Sequence, residues 1–360
     1  MEICRSPSLA VGRAPHLFRL QAFGTFSQRG LQPCGRPGLP STAKINQDRG
    51  CLCFPLADIN TSLLCVYDGH GPFGEKVSEF VLCQMIPRLK CHPQLSHDPE
   101  RALKETFVEV DEALRQDKSI DASVSGTTAV VCLVRNGTHG TTIYAANTGD
   151  SRAVLGTNTR RLLKMQPKAQ LLTNDQKADS PGERERIEAA GGYISPPGED
   201  GNPARVWVDE EMQPPGGLAC SRSIGDHSLS AVGVIPDPVV TKHEINAELD
   251  RWLILASDGV WDFIDADTAV EMVSHHTDAT EACRILVASA AERWREECET
   301  YCDDITAIVV RLDALESFWG GAISGTLSGV TPEPSRPSRG KRVRDGCDTT
   351  SRPDATMMPS

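Results

Sequence analysis

Six short apolar runs alternate with helical stretches between residues 63 and 312: Leu63–Tyr67, Thr128–Val134, Thr142–Ala146, Arg152–Leu155, Trp252–Ala256 and Ile305–Leu312. Most are rich in Val and Ile and close on Asp, Asn or Gly, the pattern of strands ended by turns. Several are separated by hairpin-length spacings, which antiparallel neighbours allow and parallel ones do not. Helical periodicity fills the gaps. PERALKETFVEVDEALRQ places Leu103, Phe107, Val110 and Leu114 on one stripe, with Asp98 as N-cap and Pro99 at the first helical position. A helix after Gly74 uses Val77, Phe80 and Val81, and one after Thr280 turns Ile285 and Leu286 inward, with Trp294 two turns on. Amphipathic helices over antiparallel sheets predict an α+β layered domain.

The 24% of charged residues is typical, but the net charge of −12 is unevenly spread. Residues 1–44 carry six basic groups against Glu2 alone, and residues 313–360 carry six of each sign, which leaves −17 on residues 45–312. A body this acidic repels nucleic acid and suits a cleft that gathers carboxylates around cations. No apolar string approaches the ~18 residues of a membrane span. Neither nucleic acid nor membrane is expected as a partner.

Residues 1–21 read as a basic, disordered leader and residues 313–360 as a Pro/Ser/Arg-rich disordered tail. Residues 165–240, with nine prolines and many glycines, read as a surface flap beside the active site rather than core sheet. Thirteen cysteines form no even framework. Cys51 with Cys53 and Cys298 with Cys302 read as buried thiols rather than metal ligands, so a reducing compartment is expected. That is the cytoplasm, with the nucleus as an alternative if RGKRVR at 339–344 acts as an import patch.

The chemistry lies in the turns. LLCVYDGHG sets Asp68 at a strand end and LILASDGVWD sets Asp258 at another, with Asp262 four residues later. NTGDSRAVL puts Asp150 between two strands, CDDITAIVV puts Asp303 and Asp304 before one, and KINQD puts Asp48 at the head of another. An Asp-Gly pair offers one hard cation both a carboxylate and, because glycine permits close approach, a main-chain carbonyl. Several Asp with few His favour Mg²⁺ or Mn²⁺ over Zn²⁺. Hydrolysis of a phosphate ester is the reaction class implied.

In this order the stretches KINQDRG, VYDGHG, SGTTAVV, ANTGDSRAVL, LACSRSIGD, GVIPDPVV, ILASDGVWD and DDITAIVV resemble the metal-dependent serine/threonine phosphatases of the protein phosphatase 2C type. The resemblance spans about residues 22–312. It implies a sandwich of two antiparallel β-sheets with helices on both outer faces and a phosphoprotein substrate, for a chain expected to act as a monomer. It also implies two Mg²⁺ or Mn²⁺ ions, with a third held loosely. Asp68 is similar to the acid bridging the two core metals, with Gly69 lending its carbonyl. Asp258 and Asp303 resemble the other direct ligands, and Asp48 holds metal-bound water. Asp150, helped by Asp262, resembles the site of the third ion. His70 resembles the general acid that protonates the departing serine or threonine oxygen. A catalytically silent binding module is the alternative.

Three departures stand out. Gln47 occupies a position that is Glu in many members. Ala43 stands where members with a phosphate-binding arginine place it, which leaves Lys44, a point charge rather than a fork, as candidate phosphate ligand. Gln176 replaces the usual histidine of an Asp-His-Lys stretch. Arg222 and Asp226 are expected to form a structural ion pair with each other.

Overall fold

The architecture follows from core strands whose successive residues face opposite layers. A computed structural model describes residues 22–34, 41–161, 164–198, 202–212 and 216–315. The leader at 1–21 and the RGKRVR patch lie outside the described residues, as does the tail from residue 316 onward. Strands β1 (Phe23–Gln28), β2 (Arg49–Cys53), β3 (Thr61–Tyr67), β4 (Ala129–Gly137) and β5 (Gly140–Thr148) are followed by β6 (Arg152–Arg161), β7 (Lys164–Leu171), β8 (Val239–Glu244), β9 (Asp250–Ala256) and β10 (Ile305–Arg311). They build two five-stranded antiparallel sheets, β1-β10-β9-β6-β7 and β8-β5-β4-β3-β2.

The period-2 rule divides the core into layers. Leu64 and Val66 of β3 meet Leu253 and Leu255 of β9 and Ile308 and Val310 of β10 between the sheets. The alternate residues Leu63, Cys65 and Tyr67 face helices α1 (Gly74–Cys91) and α2 (Pro99–Gln116). On the other outer face, Trp252, Ile254, Ala256, Ala307 and Val309 pack beneath α5 (Ala266–Ser274) and α6 (Ala279–Glu297). The result is the four-layer α/β/β/α sandwich. Each fully buried Leu or Ile contributes roughly 2 kcal/mol.

Helix α2 forms as its sequence dictates: the Asp98 carboxylate accepts the Arg101 N–H at 3.1 Å, and Leu103, Phe107, Val110 and Leu114 are buried. Helix α6 begins one residue before Thr280, capped by Asp278. Its buried stripe runs through Cys283, Leu286, Val287, Ala290 and Trp294. Ile285 is only half-buried, as is Phe80 of α1.

The irregular segment is narrower than its composition suggests. Lys164–Leu171 is the edge strand β7 of the first sheet. Met165 and Leu171 are exposed there, so the strand lacks the apolar contrast that marks its neighbours. Pro167 is tolerated because an edge strand need not donate on its open side. The flap carries helix α3 (Glu183–Ala189) and has its own small core of Ile187, Ile194, Val206, Leu218, Leu229 and Val232. Val206 of Arg205–Trp207 pairs with Ile194 of Tyr193–Ser195 across a two-stranded ribbon. At the far end of the chain, Leu312 and Leu315 are buried between the sheets, so packed structure runs three residues beyond the boundary expected at 312.

Candidate active site

Strand register brings the acids together. Arg49 pairs with Tyr67, Val66 with Val130, Ala129 with Thr148, Arg152 with Ala256 and Ala256 with Ala307. The residues just beyond these pairs therefore emerge at one end of the sandwich: Asp48, Asp68, Asp150, Asp258, Asp303 and Asp304. SGTTAVV holds the first turn, since Thr128 Oγ1 accepts the Asp68 N–H at 3.1 Å and the Thr128 N–H donates to Asp68 O at 2.9 Å. Gly69 must be glycine because a Cβ there would collide with the carbonyl oxygens of Gly74 and Gln47. Beyond Asp258, the Trp294 indole donates to Gly259 O at 2.8 Å and the Trp261 indole to Ala256 O at 2.8 Å, which pins helix α4 (Asp258–Trp261) to the sheet.

Gathering so many acids has an electrostatic cost. Burial, and after it the neighbouring Asp258, Asp48 and Asp303, push the Asp68 carboxyl well above its usual range. Burial and then Asp303 and Asp150 do the same to Asp258. Asp48 is pushed up to about 7 by burial and by Asp304. One of its oxygens accepts the Ser257 hydroxyl at 2.8 Å. The other, Oδ1, is buried without a partner, as is Oδ1 of Asp258. A buried acceptor left unpaired costs roughly 1–3 kcal/mol.

These orphaned oxygens test whether a metal fits. They belong to an all-oxygen donor set, which suits a hard divalent cation such as Mg²⁺ or Mn²⁺ and not Zn²⁺. Among the described residues no three His, Cys, Asp or Glu side chains already close around one point. The acids share a mouth and a field rather than a finished cage. The donor chemistry nevertheless fits the group that the sequence implies.

Lys44 is committed to acids. Its ammonium pairs with Asp303 Oδ1 and lies 3.4 Å from Asp304 Oδ2. Burial disfavours that charge, but Asp303 and Asp304 outweigh it and hold the lysine pKa above its usual value. The side chain is only 15% exposed, so the role expected for it, meeting a phosphate, is not reflected in its contacts. Asp304 accepts the N–H groups of Gly30 at 2.6 Å and Gln47 at 2.9 Å. Gln47 donates its side-chain amide to Gly71 O at 2.9 Å.

Asp150 is buried, with Lys177 Nζ 3.9 Å from its Oδ2, and Asp262 lies at the exposed rim. Gln176 braces the turn that carries Asp150: its Oε1 accepts the Gly149 N–H at 2.7 Å and its amide donates to Asn147 O at 3.1 Å.

The expected Arg222–Asp226 pair does not form. Arg222 grips Glu183 with two bonds of 2.9 and 2.7 Å, and Asp226 Oδ2 lies 2.6 Å from His70 Nε2. A three-stranded patch explains the second contact: Gly69–His70 pairs with Gly126–Thr127, which pairs with Ile224–Gly225. Burial lowers the His70 pKa, but the Asp226 carboxylate more than compensates and the balance lies above the ordinary value. The sequence carries a signal for this arrangement. Asp111 falls on the buried stripe of α2, and its Oδ1 accepts the Gly225 N–H at 2.8 Å.

Architecture and donor set together describe a class: a layered β-sandwich protein with a cluster of acids at one mouth. Residues 41–298 match the family profile described as Protein phosphatase 2C. The chain is 34% identical over 314 residues to "Probable protein phosphatase 2C 35" of Arabidopsis thaliana, covering 82% of this chain and 85% of that one. It is 35% identical over 292 residues to "Probable protein phosphatase 2C 72" of the same plant, covering 77% and 85%. The fold matches the crystal structure of serine-threonine phosphatase 2C from Toxoplasma gondii with a TM-score of 0.64 at 23% identity, over 80% of this chain and 98% of that one. The chain belongs to the protein phosphatase 2C family. It is a protein serine/threonine phosphatase of a metal-dependent family, with phosphoproteins as its class of substrate. Among the described residues no helix is long and apolar enough to cross a membrane.

Proposed function

We propose that the chain hydrolyses phosphoserine and phosphothreonine by attack of water, with no covalent enzyme intermediate. In this reading Asp68, the Gly69 carbonyl, Asp258 and Asp303 hold two divalent cations, Asp48 supports them, and Asp150 with Asp262 serves a third. Mg²⁺ or Mn²⁺ bound there would supply an acidified water and neutralise charge on the phosphoryl oxygens. His70 donates a proton to the departing alkoxide, and Asp226 keeps the imidazole charged and oriented for that transfer. Lys44 serves this reading as a cation beside the acids.

The observation that carries the proposal is the pair of orphaned, buried oxygens on Asp48 and Asp258 at one mouth. Carboxylates arranged this way gain from a cation and from little else. The test is turnover of a phosphothreonine peptide by chelator-stripped protein, before and after Mg²⁺ or Mn²⁺ is restored. Turnover only with metal supports the proposal. A folded protein that binds the peptide without turnover would instead be a silent binding module.

A further inference from the structure

Asp303, like Asp304, has a partner on both carboxylate oxygens. Its Oδ1 accepts the Lys44 ammonium and the Asp304 N–H, the latter at 2.7 Å, and its Oδ2 accepts the Tyr301 hydroxyl at 2.9 Å. Asp48 and Asp258 differ, each with a buried Oδ1 lacking any partner. The donor set is therefore lopsided. One side is open to a cation, and the other already has one.

Several elements hold the lysine in place. Thr42–Ala43 pairs with Leu31–Gln32, and the Lys44 N–H donates to Gly30 O at 3.2 Å. Gly30 is packed so closely that a Cβ there would collide with Cys302 O and with Lys44 Cε. Leu31 exchanges backbone hydrogen bonds of 2.8 and 3.0 Å with Cys302, next to Asp303. The partly exposed Tyr301 ring lies beside the lysine, its centroid 5.5 Å from Lys44 Nζ. The lysine is held by contacts to the acid, the tyrosine and the neighbouring backbone rather than as a loose surface ion pair.

We propose that Lys44 is a resident cation that competes with a divalent metal for Asp303, and that Tyr301 is the second half of the clamp. The inference rests on the reading that these acids hold divalent cations. With the Lys44 ammonium and the Asp304 N–H both on it, Oδ1 of Asp303 has no lone pair left for a metal ion. A metal entering on this side must displace Lys44 or bear its repulsion from a few ångströms away. In a half-buried setting that repulsion changes affinity by on the order of tenfold or more. The clamp thus sets how tightly the Asp303 side is loaded, and of the two core metals the one bound there is the more easily lost.

The test is calorimetric titration of Mn²⁺ into the chelator-stripped full chain, as wild type, Lys44→Met and Tyr301→Phe, with thermal melts in chelator and in Mn²⁺. Lys44→Met is expected to bind its weaker class of Mn²⁺ about tenfold more tightly. It should also melt lower than wild type in chelator, because Asp303 and Asp304 lose their counter-charge, yet gain more from Mn²⁺. Tyr301→Phe should bind severalfold more tightly. A folded Lys44→Met with unchanged or weaker Mn²⁺ binding would overturn the proposal. Should that variant fail to fold, unchanged binding in Tyr301→Phe does the same. If wild type and both variants take up no Mn²⁺, the underlying metal reading fails, an outcome distinct from a clamp without effect.

Discussion

His70 Nε2 and Asp226 Oδ2 are 2.6 Å apart, although 156 residues separate them in the chain. Asp226 reaches this position with φ 47°, and Gly225 before it has φ 101°, so two successive residues occupy left-handed backbone. A non-glycine residue persists there only when its surroundings over-determine it. The Asp226 N–H donates to Ser125 O at 2.9 Å and the His227 N–H to Ala122 O at 2.9 Å, while Asp111 takes the Gly225 N–H. The strained turn sets the Asp226 carboxylate against the His70 imidazole.

Removing the imidazole should separate substrates by leaving group. His70→Ala is expected to slow a phosphothreonine peptide by roughly 10²–10⁴-fold, the range for a lost general acid. p-Nitrophenyl phosphate, whose phenolate leaves unaided, should slow far less. Equal slowing of both, measured as kcat, would remove His70 from that role.

Asp226→Asn keeps the shape and deletes the charge. Phosphothreonine turnover should fall, but by less than in His70→Ala, and the double variant should be no slower than His70→Ala alone. Two residues acting through one proton are non-additive. Additive losses in the double-mutant cycle would mean that Asp226 works independently of His70.

Asp111 ties the same turn to helix α2. Besides the Gly225 N–H, its Oδ1 lies 3.0 Å from His227 Nε2. Asp111→Ala leaves these buried groups unpaired and should cost about 2–4 kcal/mol in urea unfolding, with unchanged m-value. A loss below about 0.5 kcal/mol, the usual size of a surface substitution, would show that the turn does not depend on it.

The flap supplies a pH test. Burial alone would raise the Glu183 pKa, but hydrogen bonds from Arg222, Arg186 and Ser221 prevail and bring it from 4.5 to about 2. A depressed acid stabilises the fold above its unfolded pKa, and the contribution is lost as pH falls through the folded value. The stability gap between wild type and Glu183→Gln should be on the order of 2–3 kcal/mol at pH 6. It should narrow below pH 4.5 and close near pH 2. A gap independent of pH across that window would assign the effect to packing.

Local features were legible in the sequence and distant pairings were not. Asp98 and the Leu103–Leu114 stripe state helix α2 within 18 residues, because N-caps and periodicity act over a few turns. The acids at strand ends were visible for the same reason. Strand β7 was hidden because an exposed edge removes the alternation that marks a strand. Arg222 and Asp226, four residues apart, suggested a local pair, but their partners Glu183 and His70 lie 39 and 156 residues away. The commitment of Lys44 to Asp303, 259 residues distant, was invisible for that reason too.

The central claim is that the acids at the mouth of the sandwich hold the cations on which turnover depends. The most direct test is the rate of phosphothreonine-peptide hydrolysis by Asp258→Asn beside wild type across a Mn²⁺ titration, with folding checked by circular dichroism. The account predicts metal-dependent turnover in wild type and none in Asp258→Asn at any Mn²⁺ concentration that leaves it folded. A wild-type rate in Asp258→Asn, or full wild-type turnover in chelator, would contradict it.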